Sequence, residues 1–366
     1  MSTTVLAPAL ETTPDVLWYT RCPVPTAVGI AVQQGRIAEE FARDGLTVRS
    51  LRDNADRAIR ESHYDHKLLN SFRQGGSIPA IWARAEGRDT RVIGLTWTDE
   101  YQVVVASPRS QLRSVKELKG RRIGLPRRDE DIVDFPRAMA LRGIDTALQL
   151  AGLSLGAVEL VYFQREQALG DSIRSQPEAG KDVGWVPTDR RESPEVDALL
   201  RGDVDAIYLK GARALGLVEE HRLTVLTDLN AHPDPIVRSN NGTPRPLTVD
   251  GHLARTRPDV VRRLLSQVIT TSTWAESHAQ ETREAIAREV GSTPELVQRA
   301  YGDELHRHLG VALDPTHVAG FKAFTAFLHQ HGFISRGVDV DAWIDPAPLA
   351  ELPRSLAAAA AGAAHA

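Results

Sequence analysis

The chain has 366 residues, 42% of them hydrophobic and 25% charged, with 44 basic against 48 acidic side chains and a formal net charge of -4. That balance belongs to a soluble globular protein with room for roughly two or three cores, and it excludes disordered and collagen-like classes. No whole-protein positive field exists for phosphate backbones, so no nucleic-acid partner is expected; the excess of 38 arginines over six lysines follows more simply from genomic base composition than from anion recognition.

The first 14 residues are small and polar, and together with 353–366 they are expected to fray. Met1 to Val16 has no basic n-region and no apolar h-region, and no stretch nears ~18 apolar residues; a cytoplasmic chain with no membrane partner is expected. From Leu17 the pattern alternates. Strand-type runs at 17–20 and 46–51 precede helical patterns at 27–44 and 56–73, and two more strand-type runs follow at 91–97 and 101–106. Such alternation predicts an α/β fold with mostly parallel strands. Next come a short helix at 114–118 stopped by Gly120, a strand at 122–125, a long helix at 135–151 closed by Gly152, and a strand at 157–163. A helix from Pro194 and a buried strand at 204–209 end this block. The stretch 230–246 is polar and Pro-rich, and 257–331 reads as helical throughout.

Cys22 is the single cysteine, which excludes an intramolecular disulfide framework and a cysteine-based zinc ribbon. Its position suits a lipid anchor, but Trp18-Tyr-Thr-Arg-Cys lacks the small residues of a lipobox and no apolar segment precedes it. Pro23 holds Cys22 extended, and Pro25 suits the first turn of a helix running from Thr26. The thiol is thereby expected beside a helix N-terminus, whose dipole favours a thiolate; an inert, buried cysteine is the competing reading. A second candidate is Arg73-Gln-Gly-Gly-Ser-Ile-Pro. Its guanidinium, the Gly75-Gly76 amides and a helix start near Ile78 could converge on a sulfonate, sulfinate, phosphate or carboxylate, or could form only a glycine turn beside a surface arginine.

Weaker signals have plainer explanations. Gly152-Leu-Ser-Leu-Gly matches a nucleophile elbow, but here a helix leads into a strand rather than the reverse. His63 and His66 could share a helix face as metal ligands, yet no carboxylate motif accompanies them. Asn241-Gly-Thr is a glycosylation triplet of use only to a secreted protein.

Ser114-Val-Lys-Glu-Leu-Lys-Gly-Arg-Arg-Ile-Gly, Leu200-Arg-Gly-Asp-Val-Asp-Ala-Ile and Arg257-Pro-Asp-Val-Val together resemble the type II periplasmic-binding-protein fold, in its sulfonate, nitrate and thiamine-precursor branch, over residues 17–334. The resemblance implies two α/β lobes joined by crossover strands with a ligand cleft between them: 15–105 plus 228–345 as lobe one, and 106–227 as lobe two. Tyr19-Thr-Arg-Cys-Pro-Val-Pro and Arg73-Gln-Gly-Gly-Ser-Ile-Pro are similar, more narrowly, to the 2'-hydroxybiphenyl-2-sulfinate desulfinase family. That likeness implies a hydrolase that cleaves the carbon–sulfur bond of an organic, aromatic sulfinate and releases sulfite without a metal or organic cofactor. Cys22, His63 and Arg73 would be catalytic, with Gly75 and Gly76 holding the sulfinate oxygens; whether Cys22 attacks sulfur or delivers a proton stays open. Where the family has a Trp-rich stretch, this chain has Leu209-Lys-Gly-Ala-Arg, so Lys210 and Arg213 are candidate substrate-binding groups for a smaller or more anionic sulfinate. The expected partner is a small organosulfur anion bound by a monomer. A non-catalytic sulfonate- or nitrate-type binding protein is the alternative, and a pyridoxal-dependent pyrimidine synthase using Lys67 is a third.

Overall fold

The computed structural model describes residues 9–10, 13–164, 193–352 and 356. Among these residues ten strands form two five-stranded sheets, in the orders β2-β1-β3-β10-β4 and β7-β6-β8-β5-β9. In sheet one β1 (Val16–Arg21) lies parallel to β2 (Thr47–Ser50) and β3 (Ser71–Gln74), while β10 (Arg245–Asp250) runs antiparallel between β3 and β4 (Thr90–Thr96). Sheet two repeats the plan. There β6 (Arg122–Arg127) is parallel to β7 (Glu159–Gln164) and β8 (Ala206–Lys210), and β5 (Gln102–Ala106) runs antiparallel between β8 and β9 (Thr224–Asp228). Every residue of β1 is buried, as a parallel strand covered on both faces requires.

Eleven helices of seven residues or more pack on these sheets among the described residues. They are α1 (Ala27–Gln33), α2 (Arg36–Ala42), α3 (Arg57–Asp65), α4 (Ser77–Ala85), α5 (Phe135–Leu150), α6 (Pro194–Arg201), α7 (Gly211–Glu220), α8 (Pro258–Glu276), α9 (Ala279–Val290), α10 (Pro294–Tyr301) and α11 (Pro315–Gln330). None is long and apolar enough to cross a membrane.

Four expectations change. The helical pattern at 27–44 is two helices, broken where Gly35 takes a left-handed φ of 74°. The pattern at 56–73 ends at Asp65: His66 closes α3 in the left-handed region, and Arg73 sits on a strand because buried Phe72 and its neighbours pair with β1. The Pro-rich stretch hides the start of β10. Pro246 opposes Leu95 but not β3, whose pairing begins at Leu247, so its missing N–H breaks no ladder bond. The helical third is four long helices rather than one run, parted at 277–278, 291–293 and 302–314. The boundary expected between 105 and 106 also moves. Because β5 pairs in sheet two, the first connection between the sheets is 97–101 and the second is 229–244.

Candidate active site

The parallel register of β1 and β3 places Thr20 opposite Arg73 and Arg21 opposite Gln74. Side chains alternate along a strand, so Thr20 and the Cys22 that follows share one face, while Tyr19 and Arg21 turn to the other. The ladder continues one step past β1, where Cys22 N–H donates to the Gln74 carbonyl at 3.2 Å. Val24 N–H donates back to Cys22 O at 2.8 Å, closing the Pro-flanked turn.

Around the half-buried Sγ of Cys22 two groups converge. Arg73 Nη2 donates to it at 3.1 Å, and His63 Nε2 lies 3.7 Å away. Arg73 is 3% exposed, and its Nη1 donates to Gly76 O at 2.9 Å, so the guanidinium plane is fixed from two sides. His63 arrives from the last turn of α3. Its Nδ1 is 2.6 Å from Thr20 Oγ1, and its ring meets Tyr64 edge-on at 4.8 Å between centroids. Burial, followed by the positive charges of Arg73, Arg52 and His66, pushes the His63 pKa well below its ordinary 6.5. His63 is therefore a neutral imidazole at physiological pH, able to accept or pass a proton at Nε2 according to the tautomer that Thr20 selects.

The helix-dipole expectation needs correction. Thr26 is the N-cap of α1 rather than its first residue; its Oγ1 accepts from Gly29 N–H, and Gln74 Oε1 accepts from Val28 N–H. The α1 N-terminus is thus satisfied internally, and the charge beside the sulfur is the guanidinium of Arg73. The start of α4 is likewise occupied, since Ser77 N–H donates to Asn241 O at 2.7 Å and Ile78 N–H to Asn241 Oδ1 at 2.8 Å. Of the expected amide donors, Gly76 N–H remains without a protein acceptor among the described residues, and Gly76 lines the cavity. Gly75 acts through its size. A Cβ there would lie 2.7 Å from Cys22 Cβ and closer still to Sγ, so only glycine lets the cysteine approach Arg73.

Cys22, His63 and Gly76 border a cavity of 390 Å³ between the two sheets. The apolar part of its lining includes Pro79, Phe135, Met139, Leu209, Leu217 and Val290. Tyr64 also lines it; burial raises its pKa, so the phenol keeps its proton. Lys210 and Arg213 both border the cavity. The Lys210 ammonium is engaged: it donates to Glu100 Oε2 at 2.5 Å, and Arg245 donates to the same oxygen at 3.2 Å. Burial and the adjacent Arg245 lower the Lys210 pKa while Glu100 opposes them. Arg213 is exposed at the rim.

Lys67 pairs with Asp65 at 3.0 Å and is not among the cavity-lining residues. No group of three or more His, Cys, Asp or Glu side chains among the described residues could hold a metal ion. Ser154 lies exposed between α5 and β7, so the elbow-like motif does keep helix-before-strand order. Sequence reasoning missed Thr20, Tyr64, Glu100 and Asn241. Thr20 alone had a local signal, sitting two residues before Cys22 on the same strand face.

No family model matches the chain. It is 26% identical over 360 residues to the 2'-hydroxybiphenyl-2-sulfinate desulfinases of Rhodococcus erythropolis and Rhodococcus qingshengii, covering 91% of this chain and 92% of each relative. Among solved structures it superposes on a cysteine-to-serine mutant of DszB in complex with biphenyl-2-sulfinic acid, with a TM-score of 0.72, 23% identity, and 92% of this chain and 98% of that one covered. It also superposes on the periplasmic aliphatic sulphonate binding protein SsuA from Escherichia coli, with a TM-score of 0.62, 14% identity, and coverages of 91% and 92%. The fold is that of the periplasmic binding proteins.

Proposed function

We propose that the protein is a desulfinase that hydrolyses an organic, aromatic sulfinate to sulfite and the desulfinated product at Cys22. The observation that carries this reading is the single thiol held between a buried guanidinium and a neutral imidazole at the edge of a largely apolar cavity. Full-length similarity to curated desulfinases supports it.

Arg73 and the Gly76 amide hold the sulfinate oxygens, and the apolar wall takes the aryl group. The reaction balances as RSO2⁻ plus water giving RH and HSO3⁻. Along the proton route Cys22 Sγ–H protonates the ring carbon bonded to sulfur, the C–S electron pair moves to that carbon and then to the new C–H bond, and SO2 leaves to be hydrated. His63 then returns a proton, drawn from that water, to the thiolate. Along the nucleophilic route His63 takes the Cys22 thiol proton, the thiolate attacks sulfur, the C–S bond breaks with its electrons forming a C–H bond to the proton that His63 carries, and water cleaves the resulting Cys–S–SO2⁻ adduct to the thiol and HSO3⁻. In both routes Cys22 and His63 end as they began, and no electrons enter or leave.

Incubation with 2'-hydroxybiphenyl-2-sulfinate, with sulfite assayed directly, tests the reading. Release by the native protein and none by Cys22→Ser of unchanged circular dichroism is expected; full release by the variant, or none by the native protein from any aryl sulfinate, sinks it. The likeness to the sulphonate-binding SsuA gives a second reading, a binding protein without catalysis. Calorimetry showing tight binding of intact sulfonates and sulfinates without turnover would favour that one.

A further inference from the structure

Asn241 presents both ends of its carboxamide to different tasks. Its Oδ1 accepts from Ile78 N–H at 2.8 Å, and that backbone donor fixes which end is oxygen. The carboxamide lies over Gly76, so close that a Cβ there would come within 2.7 Å of Nδ2 and 2.8 Å of Oδ1. Among the described residues Nδ2 donates to nothing, although Asn241 is half-buried and lines the same cavity as Cys22 and Gly76.

The loop carrying it is held on both sides. Asn240 and Thr243 exchange backbone hydrogen bonds at 2.9 Å each way, and Thr243 Oγ1 donates to Thr98 O at 2.8 Å. Asn240 Oδ1 accepts from Asn241 N–H at 2.8 Å, while Asn240 Nδ2 donates to Met139 O on α5 and to Tyr208 OH on β8. A cavity-lining donor on a loop tied to the 97–101 connection, to α5 and to β8 is positioned before any ligand arrives, which is the condition for strong electrostatic binding.

We propose that Asn241 Nδ2 is a third donor to the sulfinate oxygens, beside Arg73 and the Gly76 amide. The proposal rests on the desulfinase reading for the identity of its anion. Arg73 supplies the charge, Gly76 the close approach, and Asn241 a neutral, directional N–H that spares the buried site a further cation. The motif that reads as a glycosylation triplet in the sequence thereby becomes part of substrate recognition.

The test measures dissociation constants in the Cys22→Ser background, for 2'-hydroxybiphenyl-2-sulfinate and for its neutral counterpart 2-hydroxybiphenyl, with Asn241→Ala and Asn241→Asp compared against the native residue. Loss of one hydrogen bond to a charged group predicts weaker sulfinate binding by about 10- to 100-fold in both variants, with binding of the neutral phenol changed less than about threefold. Asn241→Asp keeps the acceptor for Ile78 N–H, so a role confined to capping α4 predicts normal thermal stability in that variant and equal effects of Asn241→Ala on both ligands. Equal effects on both ligands, or unchanged sulfinate affinity in Asn241→Ala, overturns the proposal. Sulfite release by the native protein is scored separately, so failure of the reaction reading and failure of the donor assignment give different results.

Discussion

At the sulfur of Cys22 the guanidinium of Arg73 stands 3.1 Å away and His63 Nε2 3.7 Å away, and the partners behind them decide what each can do. Thr20 holds one ring nitrogen of His63, and burial, followed by Arg73, Arg52 and His66, keeps a proton off the ring. This has a stability consequence with a definite sign. The unfolded chain takes up a proton at His63 near pH 6.5, whereas the folded pKa is depressed; the folded state therefore binds fewer protons, and its stability is whole above about pH 6.5 and declines as pH falls toward the folded value. His66 is depressed for the same reasons, by burial and by Arg73 and Arg88, and adds to the slope. The unfolding free energy should fall between pH 6.5 and 5 by up to about 1.4 kcal/mol per pH unit for each site. His63→Gln should flatten that slope in urea melts while removing sulfite release; an unchanged slope would show that His63 is not buried as the neutral form.

On the scale of elements, the site is the product of one strand register. Two parallel strands, β1 and β3, put Thr20 against Arg73, and a glycine just beyond β3 leaves room for the cysteine just beyond β1. Gly75 has no positive φ, so Gly75→Ala is tolerated by the backbone and acts through contact with Cys22 alone. Displacing Sγ by even ~1 Å should lower kcat/KM about 100-fold, while overpacking costs about 1–3 kcal/mol of stability. A Gly75→Ala protein with native turnover would show that the sulfur need not sit against Arg73. Here the sequence was partly legible. Cys-Pro-Val-Pro and Arg-x-Gly-Gly, being local motifs, single out residues that the fold brings together, but the sequence pattern runs Arg73 into a helix. The apolar spacing before it continues the period of α3, and only pairing of Phe72 with β1, a contact made across about 50 residues of chain, turns the segment into a strand. Asn241 was unreadable for a similar reason: its two acceptor contacts lie 163 and 164 residues away.

On the scale of the whole molecule, the alternation of strand and helix disclosed the α/β class, since period and turn residues are local properties, whereas two lobes were implied only by the resemblance to the periplasmic-binding-protein fold. Which sheet claims β5, and that β10 exists, depended on long-range pairing and was not disclosed. Besides apolar packing, an ion pair fastens the C-terminal helices to the site region. Arg21, 1% exposed and next to Cys22, bonds Glu289 of α9 at 2.6 Å, and Gln33 donates to the other carboxylate oxygen at 3.0 Å. Neutralising the carboxylate beside a buried guanidinium leaves that charge less compensated, so Glu289→Gln should cost up to about 3–5 kcal/mol in chemical denaturation. A loss under about 1 kcal/mol would mean that Arg21 finds water or another acceptor.

The sheet orders carry one more consequence, for the order of events during synthesis. Sheet two is assembled from the continuous stretch 102–228, but sheet one waits for β10, which leaves the ribosome only after all of sheet two has emerged. The amides at the start of α4 wait longer than their own helix does, because Asn241 precedes β10 by only a few residues. A nascent chain that already carries Cys22, His63 and Arg73 therefore lacks the clasp that completes their surroundings. Until residue 250 is free to pair, such a chain exposes an edge of β3 that chaperones or proteases can recognise.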